Sequence, residues 1–399
     1  MENFIFISPN FPDVYYKFLI ELKNVGFRVL TIGDCPWYEL SDNVKNNCDE
    51  YYYVHSLGNT SEVEEAVRFF KEKYGTISYL ESNNEFWLMQ DAHLREMFDI
   101  PNGLRPKDME VIKYKSKMKE KFIQAGVKVA RHIIPVDYNA TLEFINKVGY
   151  PVFVKPDNGV GASDSYSIHN IEELNNFFNR NDHENFIMEE YIDGTILSFD
   201  GIADDDGNVL LSFNEVFPVP VADVANKDLD DYYYALKDFD LDFKQIGKKV
   251  VKSFNIRKRC FHIEFFKLNK DKEGLASMGE IIALEVNMRP PGGNTPDLLS
   301  FALNNSFYTC YAQTIKFNKI LIDLHRQHYV AITASRKDRF HYTNTHEDIL
   351  SKYKDDLLDY GRYNKEVALV MGNSYYYAKF IDLDEAIEFA NYIRDKQQF

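Results

Sequence analysis

Val152-Phe153-Val154-Lys155-Pro156-Asp157-Asn158-Gly159-Val160-Gly161-Ala162-Ser163 is an apolar strand that carries a lysine straight into a glycine-containing loop. Glycine lets backbone N–H groups approach an anion closely, and a lysine at the strand end adds a point charge to the same place. The stretch reads as a phosphate-covering loop, with Lys155, Gly159, Gly161, Ala162 and Ser163 as its contacts. A Gly-x-Gly turn after a strand also makes an ordinary hairpin or connector, so the loop alone leaves both readings open. No Gly-Lys-Ser/Thr follows, and the spacing is therefore not that of a Walker A loop.

Immediately upstream, residues 109–124 form a basic helical pattern closed by Ala125-Gly126 as a glycine C-cap. Its lysines at 113, 115, 117, 119 and 121 alternate, so on a helix they fan around the cylinder, and only one or two can face a ligand. From Ile133 the pattern reads strand, helix (140–148), strand (152–155), glycine loop, strand, helix and strand (186–189), an α+β unit with antiparallel character. At the chain start, Phe4-Ile5-Phe6-Ile7 and residues 27–32 are strands around a helix, a βαβ opening. Ser8-Pro9-Asn10-Phe11-Pro12 stands where a dinucleotide fingerprint would be, so no dinucleotide cofactor is supported. A helix over 62–73 leads to a strand at 77–80 that ends in Glu81-Ser82-Asn83-Asn84-Glu85. Open α/β sheets bind ligands at such strand ends, although a solvated connecting loop would read the same way.

Downstream, Cys260-Phe261-His262-Ile263-Glu264 and Leu284-Glu285-Val286-Asn287-Met288-Arg289 place polar groups at alternate positions of apolar strands. Period 2 turns His262 with Glu264, and Glu285 with Asn287 and Arg289, to a common face. Two carboxylates and an amide oxygen suit a Mg²⁺ site, with half-exposed edge strands bearing salt bridges as the alternative. After Arg289, Pro290-Pro291-Gly292-Gly293 can present backbone N–H groups as an anion nest while the guanidinium grips a carboxylate or acyl phosphate.

At 399 residues, the chain is long enough for two to four domains or subdomains. Its net charge of -16 repels phosphate backbones and argues against nucleic acid, while a few lysines and a divalent metal would still admit ATP. Cys35, Cys48, Cys260 and Cys310 have no metal-binding or disulfide-framework spacing, which fits a reducing compartment. The start lacks a signal-peptide pattern and no 18-residue apolar run occurs, so a cytoplasmic protein without membrane contact is expected.

In this order, these residues resemble the ATP-grasp superfamily from residue 1 to about 320. The resemblance implies an α/β and α+β fold: a Rossmann-like pre-ATP-grasp domain (1–105), a small ATP-grasp lobe with its linker helix (106–190), a large lobe (191–325) and a C-terminal α/β subdomain (326–399). It implies that Lys115, ten residues before Ala125-Gly126 and in register with Lys119 and Phe122, contacts nucleotide, and that Lys155 contacts the α and β phosphates. Residues 185–194 resemble the interdomain hinge, where Glu189 accepts from the adenine amino group and the backbone through Glu190, Tyr191 and Ile192 holds the ring. By the same likeness Glu264, Glu285 and Asn287 hold Mg²⁺, with Mn²⁺ as the alternative, and Arg289 faces the transferred phosphate and substrate. Two departures stand out: Ala162-Ser163-Asp164-Ser165 replaces a Ser-x-Gly, and Ile196 lies near the place of a ribose-binding acid, leaving ribose contacts unassigned.

The Cys-x-His-x-Glu strand and Ser82-Asn83-Asn84-Glu85 are similar to those of bacterial L-amino-acid ligases. This implies an ADP-forming carboxylate–amine ligase working through an acyl phosphate on amino-acid-like substrates. Arg289, Lys155 and His262 would be catalytic, and Arg289, Gly292, Gly293, Asn84 and Glu85 would bind substrate. His262 would orient the substrate, unless it is a structural hydrogen-bonder. Biotin carboxylase-like and carbamoyl phosphate synthase-like members share the Glu-x-Asn-x-Arg strand, so bicarbonate stays open as the carboxylate. A nucleotide-binding regulatory protein that has lost catalysis is a further alternative, and a homodimer is compatible with the sequence.

Overall fold

The computed structural model describes the chain except for residues 160–163, 220–223, 225–228, 239, 326–327 and 398–399. Strands β1 (Glu2–Ile7), β2 (Phe27–Gly33), β3 (Glu50–Tyr53) and β4 (Ile77–Glu81) form a parallel sheet in the order β3-β2-β1-β4. β1 is apolar from Phe4 to Ile7 because both of its faces are covered there, as expected for a central parallel strand. Phe4 and Phe6 join Phe18 and Leu22 of the helix Tyr16–Asn24, while Ile5 and Ile7 pack with Val63, Val67 and Phe70 of the helix Thr60–Tyr74. The carboxyl end of β4 delivers the segment Glu81 to Glu85 toward the rest of the molecule.

The small lobe is an antiparallel sheet of β5 (His132–Ile133), β6 (Val152–Pro156), β7 (Tyr166–Ile168) and β8 (Phe186–Glu190), in the order β5-β8-β6-β7. Val152 and Val154 of β6, and Phe186 and Met188 of β8, pack against Ile145, Leu174 and Phe177 of two helices. Strand alternation turns Lys155 and Glu189 to the opposite face.

The residues 109–124 are not one helix. The chain forms the helices Glu110–Lys113 and Lys115–Gln124, and Tyr114 between them is extended (φ -96°, ψ 119°) and bridged to Asn158. Asp157 causes the break to be favourable. Its carboxylate accepts from the Ser116 N–H at 2.7 Å and the Ser116 hydroxyl at 2.7 Å, capping a new helix N-terminus. The strand-end loop and the lysine helix are thereby locked together.

The large sheet contains β9 (Gly194–Ala203), β10 (Val209–Phe217), β11 (Tyr232–Ala235), β12 (Arg259–Leu268), β13 (Ile281–Asn287), β14 (Val330–Arg336), β15 (Leu357–Arg362) and β16 (Ser374–Phe380). Their order is β13-β12-β9-β10-β11-β14-β16-β15, so the C-terminal strands extend this sheet through the antiparallel pair β11–β14. The helix Leu383–Arg394 covers them, with Phe389 and Ile393 packed against Ile332 and Phe380. A continuous core joins this sheet to the N-terminal one through the helix Phe307–Phe317, where Phe18 meets Tyr308 and Tyr311 with ring centroids 4.7 and 5.0 Å apart. No helix among the described residues is long and apolar enough to cross a membrane.

Behind β9 lies the helix Leu241–Ser253, and Gly247 is where it touches the sheet. A Cβ at Gly247 would stand 2.4 Å from the Phe199 ring. Glycine to alanine normally stabilises a helix by about 1 kcal/mol. Here the overlap costs roughly 1–3 kcal/mol in a close-packed core and reverses the sign. Gly247→Ala is therefore expected to lower the midpoint of chemical denaturation, and a raised midpoint would contradict this packing.

Candidate active site

Spacing of four residues puts Lys115 and Lys119 on one face of their helix, and both are buried while Lys117 is exposed. The Lys115 ammonium donates to the Gly159 carbonyl at 3.0 Å and lies 3.7 Å from Glu285. Lys119 and Lys155 approach the two oxygens of Glu189 at 3.2 and 3.0 Å. Burial pushes the Glu189 carboxyl up, but the two ammonium groups outweigh it and hold the group down at about 2. Lys119 is pulled below the usual lysine range by burial, with the Lys155 charge adding to it against Glu189. For Lys155 burial acts the same way, yet Glu189 and Glu285 prevail and raise it. Three buried ammonium groups thus gather around Glu189 and the Gly159 carbonyl, a local concentration of positive charge that suits a polyanion.

The hinge residues divide by direction. Glu189 faces the lysines, whereas the Glu190 side chain turns to Arg131, whose Nε and Nη2 both donate to its Oε2 at 3.0 and 2.6 Å and whose backbone N–H donates to its Oε1 at 2.8 Å. Tyr191 is exposed and Ile192 is buried. Gly161, Ala162 and Ser163 lie outside the described residues.

On the neighbouring lobe, antiparallel register sets His262 opposite Asn287 and Glu264 opposite Glu285. Like charges directly across a strand pair repel. His262 compensates one of them, since its Nε2 lies 2.9 Å from Glu264 Oε1. Burial raises the Glu264 carboxyl, but the His262 charge prevails and lowers it. Glu285 goes the other way, raised by burial against Lys115, with the Glu264 charge pushing it further up. Two carboxylates and the buried Asn287 amide, one carboxylate still short of positive charge, fit a hard divalent cation with oxygen ligands.

His262 also reaches Asp200 on β9, with Nδ1 2.5 Å from Oδ1. Both partners are acid side chains, and the ring between them is held charged. Burial disfavours that charge, but Asp200 and then Glu264 raise the imidazole to about 9. Ser198 donates to the other Asp200 oxygen, and Glu215 on β10 lies beside them. The ligating atoms of Asp200, Glu215 and His262 are all within 4.8 Å of one another and buried. Burial, with Asp200 adding to it, pushes the Glu215 carboxyl well above its usual range. Sequence reading missed Asp200 and Glu215, although polar residues alternating with apolar ones in Ser198-Phe199-Asp200 carry the same period-2 signal as His262 and Glu264.

The third wall comes from the N-terminal domain. Arg289 Nε donates to Glu85 at 3.1 Å and Nη1 to the Pro290 carbonyl at 2.8 Å. Asn84 is buried, and its side chain accepts from the Phe86 N–H at 3.1 Å, shaping the turn that presents Glu85. Beneath them, Arg259 at the start of β12 and Arg95 both grip the buried Glu81, at 3.1 and 2.9 Å, fixing β4 to β12. Gly293 adopts φ +57°, and the Gly292 carbonyl accepts from Thr295 N–H at 3.2 Å where the helix Thr295–Leu303 begins. The structure therefore brings Lys115, Lys155, Glu189, Glu264, Glu285 and Arg289 together through Lys115–Glu285, Lys155–Glu189 and the β12–β13 pair, with Glu85 joined through Arg289.

Residues 112–222 match the ATP-grasp domain model. An L-arginine-specific L-amino acid ligase of Bacillus subtilis is 22% identical over 248 residues, which are 59% of this chain and 57% of that relative's length. An L-amino acid ligase structure from Bacillus licheniformis superposes with a TM-score of 0.72 at 15% identity, covering 98% of this chain and 96% of its own. The biotin carboxylase domain of the Hydrogenobacter thermophilus 2-oxoglutarate carboxylase, in complex with MgADP, ADP and bicarbonate, gives 0.71 at 16% identity, covering 97% and 88%. Residues 112–222 are thus similar to an ATP-grasp domain, and the chain as a whole shares the fold of these ATP-grasp ligase and carboxylase structures.

Proposed function

We propose that the chain is an ADP-forming ligase that activates a small carboxylate as an acyl phosphate and transfers the acyl group to an amine. The observation that carries this reading is the β12–β13 strand pair. It presents Glu264, Glu285 and Asn287 on one face, with Arg289 two residues further on, while Lys115 reaches Glu285 from the lysine helix. In this reading Lys115 and Lys155, with the backbone of residues 159–163, bind the nucleotide phosphates, and the hinge at Glu189 to Ile192 holds the base. Glu264, Glu285 and Asn287 would hold a divalent metal, Mg²⁺ by preference, which would supply positive charge against the phosphates. The Arg289 guanidinium and the Gly292-Gly293 amides orient the substrate carboxylate, whose oxygen attacks the γ-phosphorus as the bond to ADP breaks. The amine then attacks the carbonyl carbon, loses a proton, and phosphate leaves with the C–O bond electrons; Arg289 steadies the oxyanion of that step.

Glu85 beside Arg289 supports an amino-acid-like substrate, because a carboxylate next to a guanidinium complements a zwitterion. The likeness to L-amino acid ligases points the same way. Domain limits at 105, 190 and 325 fit this division of labour, and four free cysteines fit a reducing cytoplasm. Purified protein given ATP, Mg²⁺ and pairs of amino acids is expected to release ADP and phosphate only when a carboxylate and an amine donor are both present. Mass spectrometry should then find a product equal to the two substrates less one water. Turnover that instead requires bicarbonate and biotin, or that no amino-acid pair elicits, would overturn the assignment.

A further inference from the structure

We infer that Asp200 is a positioning residue that, through His262, sets Glu264 for the metal, an inference that rests on the metal-site reading above. The geometry is a chain of three contacts across two adjacent strands, β9 and β12. Ser198 Oγ donates to Asp200 Oδ2, Asp200 Oδ1 lies 2.5 Å from His262 Nδ1, and His262 Nε2 lies 2.9 Å from Glu264 Oε1. Strand register aligns it, since Asp200 pairs with His262 and Ser198 with Glu264 across β9–β12. Ser198 and Asp200 are fully buried, and within this chain of contacts they reach Glu264 through the imidazole, with Glu215 of β10 beside Asp200 as a neighbour the chain does not use. A ring held from both sides is fixed in orientation, and it engages one Glu264 oxygen, Oε1, so that in this inference Oε2 is the one available to the metal. The partners of metal-binding carboxylates set metal affinity in this way, typically by about 10- to 100-fold.

The test is a Mg²⁺ titration of the ADP-bound protein, followed by intrinsic tryptophan fluorescence; Trp87 lies two residues after Glu85. Asp200→Ala is expected to raise the Mg²⁺ concentration at half-saturation by about ten-fold or more, with ADP affinity in the absence of Mg²⁺ unchanged. Asp200→Asn keeps an oxygen that accepts from Nδ1 and should recover part of the loss. Should Asp200→Ala fail to fold, Ser198→Ala removes one hydrogen bond from Asp200 without altering any charge and should still weaken Mg²⁺ several-fold. Folded Asp200 and Ser198 variants with the wild-type Mg²⁺ requirement would overturn the inference alone. A wild-type protein whose ADP binding ignores Mg²⁺ would overturn the metal-site reading and this inference with it.

Discussion

Glu285→Gln is expected to slow ADP release by about a thousand-fold while nucleotide affinity changes far less. The substitution keeps the size of the side chain and removes only its charge. In the folded chain without metal, that charge is a liability. Glu285 stands directly across from Glu264, and burial together with the Glu264 charge pushes its carboxyl upward. A neutral amide relieves the repulsion, so the thermal midpoint of the variant should equal or exceed that of the wild type. Loss of turnover then cannot be ascribed to unfolding. Binding should survive because the other anion-binding groups remain: Lys155 keeps its contact with Glu189, and Lys115 keeps the Gly159 carbonyl. Turnover falls because the carboxylate is needed where negative charge on phosphate is being redistributed, in the transition state more than in the ground state. A coupled ADP assay beside a melting curve decides it, and near-normal turnover in Glu285→Gln would remove the metal site from these strands.

What could be read from the sequence was whatever depends on local period. Alternation along residues 260–264 and 284–287 faced His262 with Glu264 and Glu285 with Asn287, because a strand allows only two directions for a side chain, whereas Arg289 lies in the bend after β13, where that rule no longer applies. Spacing within the basic helix limited the ligand-facing lysines to one or two, and the structure buries Lys115 and Lys119. The break at Tyr114 was not legible, since it depends on Asp157 from another segment capping Ser116. The same holds for the turn of Glu190 toward Arg131 and for the sharing of Glu81 by Arg95 and Arg259, contacts between residues 59, 14 and 178 positions apart. Asp200 and Glu215 show the limit from the other side. Their alternation was visible, but nothing local distinguishes a buried polar position from an outward-facing one until β9 is placed between β10 and β12.

Arg289→Ala is expected to lower kcat by about 10²- to 10³-fold, with KM for ATP little changed. The Arg289 guanidinium meets Glu85 and the Pro290 carbonyl, groups of the proposed substrate wall, whereas Lys155 is held by Glu189 and Lys115 by the Gly159 carbonyl. Its loss should therefore spare nucleotide binding and strike the step in which the carboxylate must be aligned with the γ-phosphate. Arg289→Lys separates the two parts of that role. An ammonium restores charge but not the planar fork that grips two oxygens, so recovery should be partial and appear mainly in KM for the carboxylate. Glu85→Gln completes the comparison. It releases Arg289 from its 3.1 Å partner, which by itself would favour binding of a simple carboxylate, but it removes the group proposed to hold an ammonium. A zwitterionic substrate should then bind more weakly while a carboxylate lacking the amino group binds as well or better. Equal losses for both would assign Glu85 to holding Arg289 in place, and unchanged kcat in Arg289→Ala would move carboxylate activation away from this guanidinium altogether.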